Sequence, residues 1–91
     1  MTTNVNEMLA GRKATYGSFE GHAEIAQELK NVIRTFAAKR NCELVLDQKE
    51  ALEMIAHKIA RILNGDPNYA DNWIDIAGYA ILVANRLEKR E

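Results

Sequence analysis

Four charged side chains crowd the junction between the two most apolar segments of this chain. Lys58 and Arg61 lie three apart near the end of one segment, and Asp71 and Asp75 lie four apart at the start of the next. On helices those spacings put each pair on one face, so two cations and two carboxylates could meet across a turn. Two cations held together suit a phosphate, and a carboxylate beside them can orient them or accept a hydrogen bond from a base or ribose. Upstream, Arg12, Lys13, Tyr16 and Gly17 in "GRKATYGS" combine charge, an aromatic face and backbone freedom, a set that can serve phosphate and base together.

Each group also has a plainer reading. Asp47 followed by Glu50 is a D-x-x-E form of a capping box. Glu53, His57 and Arg61 are i,i+4 neighbours of the kind common on solvated helix faces, and His57 alone is a weak metal candidate. Lys58 and Arg86 can lie along apolar surface with their charged ends in water. Asp75 sits one turn inside the most apolar segment, so it needs a partner: an ion pair with Lys58 or Arg61, or a ligand. Tyr16 can simply anchor a solvated turn to the core.

The elements that must position these groups are helices. A short helix is expected at 3–10, with Val5, Met8 and Leu9 on one side, ended by Gly11. Ser18 is an N-cap candidate, and Ile25, Leu29, Val32, Ile33 and Phe36 then recur at helical spacing to about residue 40. "NCELVL" (41–46) has no second strand to pair with and reads as a loop docking Leu44 and Leu46 on the core. A helix at 47–64 turns Leu52, Ile55, Ile59, Ile62 and Leu63 inward and stops at Asn64-Gly65. After the turn "GDPNYA", Asp71 caps a last helix at 71–89. The expectation is an all-α fold: one domain over residues 1–91, a small bundle of three long helices plus a short N-terminal one.

On the second long helix Glu50, Glu53, His57 and Arg61 fall within about 80° of one another. On the last helix Asp71, Asp75, Tyr79 and Arg86 form a comparable stripe, opposite Trp73, Ala77, Ala80, Ala84 and Leu87. A hairpin of the two helices would let both stripes face a common cleft. Between Trp73 and Ala84 only Asp75 is charged, and a helix apolar nearly all round is buried on more than one side. Three long helices cannot surround it, so a second copy of the chain is expected to complete the bundle, giving a homo-oligomer. Gly78 costs a mid-helix position about 1 kcal/mol relative to Ala, which close approach by a neighbouring helix would offset.

Composition excludes several classes. The 91 residues are 47% hydrophobic and 27% charged, ordinary for a globular domain, with a formal net charge of −1. No run of Lys and Arg exceeds the pair Lys39-Arg40, so no broad footprint for DNA or RNA is expected. The single Cys42 forms no internal disulfide and has no zinc-ligand spacing around it. With no signal peptide and no stretch of about 18 apolar residues, a cytoplasmic protein without a membrane span is expected.

Two resemblances add to this reading. "RKATYGSF", "HKIAR" and "DNWIDIAGYA" together resemble a function-unassigned family of small all-α proteins encoded by tailed bacteriophages and prophages. Its pattern R-x-x-x-Y-G, K-x-x-R, D-x-x-x-D-I-A-G-Y falls on Arg12, Tyr16 and Gly17, on Lys58 and Arg61, and on Asp71, Asp75, Gly78 and Tyr79. More loosely, "EALE" with "ILNGDPNYADNWIDIAGYAILVANRLE" is similar to the helical core of MazG-like nucleotide pyrophosphohydrolases. That resemblance implies Mg²⁺ held by Glu50, Glu53 and Asp75, with Asn72 standing where a fourth acid is expected. Hard Mg²⁺ wants carboxylate oxygens and tolerates few losses, which ranks hydrolysis second.

The leading expectation is therefore a non-catalytic nucleotide-binding phage protein that needs no cofactor and acts in the host cytoplasm. It would sequester a nucleotide such as a host immune signal, as an anti-defence device. Arg12, Lys58 and Arg61 would contact phosphates, Tyr16 or Tyr79 would stack a base, Asp75 would orient the cations, and Asp71 would cap its helix beside them. The alternatives are a Mg²⁺-dependent MazG-like pyrophosphohydrolase and an accessory protein that binds a host protein through its apolar last helix.

Overall fold

The computed structural model describes residues 2–89, and among them every regular element is a helix. Four helices follow in order: α1 (Thr2–Tyr16), α2 (Phe19–Lys39), α3 (Leu46–Asn64) and α4 (Ala70–Leu87). The all-α expectation holds. The first helix is longer than its sequence suggested, because Gly11 is tolerated inside it and the break comes at Gly17. There φ is +78°, a left-handed conformation that favours glycine, and Gly17 N donates to Lys13 O at 2.8 Å to close the helix end.

Ser18 caps α2 as expected, its hydroxyl accepting from Gly21 N at 3.1 Å. The cap of α3 is different. The helix starts at Leu46, and its preceding backbone N–H, on Val45, donates to Gln48 Oε1 at 3.1 Å. Asp47 and Glu50 form no capping box. Asp47 instead binds Arg86 of α4, its Oδ1 accepting from Arg86 Nη2 at 2.8 Å while Oδ2 accepts from Nε. The guanidinium holds the Asp47 carboxyl below its usual range. Asp71 is likewise not the cap of α4, which begins one residue earlier behind Tyr69. Residues 42–45 are a loop, as read, but only Leu44 is half-buried; Leu46 is 86% exposed.

The central element is α3. It packs against both α2 and α4, which do not touch each other, and α1 lies across the α2–α3 pair. The arrangement is a small helical bundle with α3 at its centre. The buried apolar residues among those described are all alanines, Ala26, Ala51, Ala56 and Ala60. Small side chains let helix axes approach closely and leave the larger ones straddling the edges, so Val32, Phe36, Leu52 and Leu63, expected inward, remain exposed.

The orientation of α4 is the main departure from a conventional amphipathic helix. Its polar side faces α3: Lys58 Nζ meets Asp75 Oδ2 at 3.0 Å, Arg86 meets Asp47, and Asn72 is 1% exposed. Its apolar side, with Trp73, Ile74, Ala77, Gly78, Ile81 and Leu82, faces outward. No described helix is long and apolar enough to cross a membrane.

Candidate functional site

Two tight turns, distant in sequence, lock together and build one end of the molecule. Asn64, the last residue of α3, donates through Nδ2 to Tyr16 O at 2.9 Å and to Ser18 O at 2.8 Å. Asp66 N donates to Thr15 O at 2.7 Å. Three glycines make the approach possible. A Cβ on Gly17 would stand 2.0 Å from Asn64 O, one on Gly21 2.3 Å from Asn64 Oδ1, and one on Gly65 2.2 Å from Thr15 O. The turn after α1 and the turn after α3 are thus a single rigid joint.

The joint sets Tyr16 beside Arg61. The Arg61 guanidinium lies 4.8 Å from the Tyr16 ring centroid, and that of Arg12, one turn back on α1, lies 5.1 Å from it. Tyr69 meets the same ring edge-on at 5.9 Å. Neither arginine makes an ion pair among the described residues. Stacking on a ring fixes the plane of a guanidinium and leaves its N–H edge free to donate.

Beside this cluster opens a pocket of about 420 Å³, lined by Arg12, Lys13, Tyr16, Phe19, His22 and Arg61 with the Gly17-Ser18 turn. Its size is that of a small-molecule site. Among the described residues, three permanent cations line it and no carboxylate does. Phe19, 83% exposed, stacks on His22 with centroids 6.1 Å apart and offers a free aromatic face. His22 Nε2 in turn lies 3.1 Å from His57 Nδ1 of α3. Both histidines have lowered pKa values, through burial first and then through neighbouring positive charge, which includes Arg61, Lys58 and Lys30 for each of them.

Of the residues singled out in the sequence for phosphate or base, Arg12, Lys13, Tyr16, Gly17 and Arg61 meet at this pocket. The others do not. Lys58 is buried and turned to α4, where it pairs with Asp75, so the structural ion pair is the arrangement observed and Asp75 orients no phosphate-facing cation. Asp71 reaches the pocket only indirectly: its carboxylate raises the pKa of the Tyr69 phenol, and Tyr69 buttresses Tyr16. Tyr79 is half-buried on α4 and lines no part of the pocket. The two polar stripes therefore do not share a cleft; His57 and Arg61 of the α3 stripe face α2 and α1, whereas the stripe of α4 faces α3.

No three His, Cys, Asp or Glu side chains converge as metal ligands among the described residues, so Glu50, Glu53 and Asp75 are not brought together. Asn72 is enclosed, with its Nδ2 lacking a partner. The pocket adds Phe19 and His22 to the candidates found by sequence, and brings in Ser18, which the sequence marks only as a cap. Phe19, His22, Ala26, Leu29 and Ile33 form one continuous helical stripe, so a stripe beginning at Phe19 rather than Ile25 would have exposed them.

Comparison with curated proteins returns no match, and neither does comparison with solved structures. A family model matches residues 1–87, nearly the whole chain and every residue of the pocket. The chain belongs to the family described as "Domain of unknown function (DUF6378)".

Proposed function

We propose that this protein binds a phosphorylated nucleotide without transforming it, in the pocket formed by α1, the start of α2 and the end of α3. The observation that carries the reading is the pair of guanidinium groups stacked against Tyr16 at the mouth of a pocket where, among the described residues, no acid neutralises them. Arg12 and Arg61 would grip phosphate oxygens, with Lys13 as a third charge. Because arginines already occupy Tyr16, the base would stack on Phe19 instead. On the likeness of its motifs to small phage proteins, the bound nucleotide would be a host immune signal, held out of circulation in the host cytoplasm.

The test is to incubate the protein with a panel of nucleotides and Mg²⁺, remove free ligand, denature the protein and analyse what it releases. An intact nucleotide supports binding alone. Release of a monophosphate with pyrophosphate would mean hydrolysis, and retention of nothing would remove the pocket.

The same reading includes a homo-oligomer formed through α4. The chain exposes 6791 Å², against about 5,400 Å² for a compact monomer of its mass. The excess of about 1,400 Å² exceeds the roughly 800 Å² that each partner buries in a standard interface. Gly78 lies midway along the outward face, with nothing within 4 Å of where a Cβ would stand, so a neighbouring helix can cross there in close contact. Sedimentation should show an assembly that Gly78→Leu weakens. A wild type that stays monomeric at micromolar concentration, yet captures a host protein through Trp73 and Ile81, would give this face to a different partner.

A further inference from the structure

His22 and His57 form a pair that the phosphate reading does not use. Their facing nitrogens lie 3.1 Å apart, which requires one N–H and one lone pair between them. The neutral pair thus carries one proton on each ring. A third proton can join at an outer nitrogen without disturbing the internal bond. A fourth would set two N–H groups against each other and break it. The pair is built to take up a single proton.

Its surroundings oppose that proton while the pocket is empty. Lys58 and Arg61 of α3 and Lys30 of α2 lie near both rings, and Arg12 and Lys13 of α1 line the pocket that His22 faces. The acidic groups offset little of this. Glu53 acts on His57 but is not among the influences on His22, and Asp75 is engaged by Lys58. An anion in the pocket reverses the balance, because its charge favours a protonated ring in the wall.

We infer that the pocket is selective for a terminal phosphoryl group, a phosphomonoester dianion, over a bridging phosphodiester, and that the His22–His57 pair takes up one proton when the dianion binds. A dianion carries enough charge to engage two arginines and still favour a third, switchable cation. A diester has a single charge, already shared between Arg12 and Arg61, and gives the pair little reason to protonate. This inference rests on the phosphate pocket proposed above and names the chemical class it prefers.

The probes are methyl phosphate and dimethyl phosphate, titrated calorimetrically in buffers of different ionisation enthalpy above about pH 7, where the monoester is already a dianion. Methyl phosphate should bind at least about tenfold more tightly than dimethyl phosphate, the worth of one charge-assisted hydrogen bond. Its binding should also draw protons from the buffer. His22→Asn should abolish the proton uptake and most of the preference, while circular dichroism reports an unchanged fold. In the wild type, the His22 and His57 ring resonances should titrate at higher pH with methyl phosphate present. Binding of methyl phosphate without proton uptake, or equal affinity for the diester, overturns this inference and leaves the nucleotide pocket standing. Failure of both esters and of every nucleotide to bind removes the pocket and the inference together.

Discussion

Asn64 holds the backbone of Tyr16 from forty-eight residues away, through an Nδ2–H···O bond of 2.9 Å. A second bond to Ser18 O ties the start of α2 to the same side chain, so one amide fixes three of the elements that shape the pocket. Asn64→Ala should therefore cost about 1–3 kcal/mol, the worth of two neutral hydrogen bonds. Ligand affinity should fall as well, because Tyr16 loses its fixed position. Chemical denaturation and calorimetry check the two effects separately; an unchanged midpoint would mean that the glycine packing alone holds the joint.

Stability should rise with pH through the histidine range. In the unfolded chain His22 and His57 titrate near 6.5, whereas in the fold burial and nearby cations lower both pKa values. The unfolded state then binds more protons as pH falls through that value, so folding stability is lost on acidification and recovered above it. Thermal midpoints of the wild type should climb across this window, and His22→Asn should flatten the rise. A wild-type profile that is level there would contradict the buried neutral pair.

The Lys58–Asp75 pair should matter to the fold and not to the ligand. Lys58 has an 11% exposed side chain and Asp75 a 46% exposed one, so removing the acid strands a cation that water reaches poorly. Asp75→Ala should destabilise by about 1–3 kcal/mol, less than a fully enclosed pair would lose because solvent screens the carboxylate. Affinity for a bound nucleotide should stay within twofold of wild type. A large loss of affinity in a folded Asp75→Ala protein would place the acid in the site after all.

The helices were legible in the sequence because their signals are local. Ser18 with its cap, the Asn64-Gly65 stop and the apolar spacing of α2 and α3 each sit within a few residues of what they determine. What escaped depends on partners far along the chain. Asp47 has the spacing of a capping residue, yet Arg86, thirty-nine residues on, offers two charge-assisted hydrogen bonds and takes it. The polar stripe of Asp75 and Arg86 on α4 is visible at helical spacing, but spacing within one helix does not choose between Lys58, Arg61 and a ligand for Asp75, or point Arg86 to Asp47. Arg12 and Tyr16 were found because charge beside an aromatic ring and glycine is visible at short range, and Arg61 because it lies one turn from Lys58 just before the Asn64-Gly65 stop. His22 was missed because its meaning lies in His57, on another helix.

The most direct measurement is a calorimetric comparison of Arg61→Ala with wild type, using whichever nucleotide the wild type retains. Arg61 touches the pocket and Tyr16 but makes no ion pair among the described residues, so its loss should leave helix content intact. Affinity should fall by about 1.5–3 kcal/mol, the usual range for a hydrogen bond to a charged group. If Arg61→Ala folds normally and binds that nucleotide as tightly as wild type, the phosphate does not sit in this pocket.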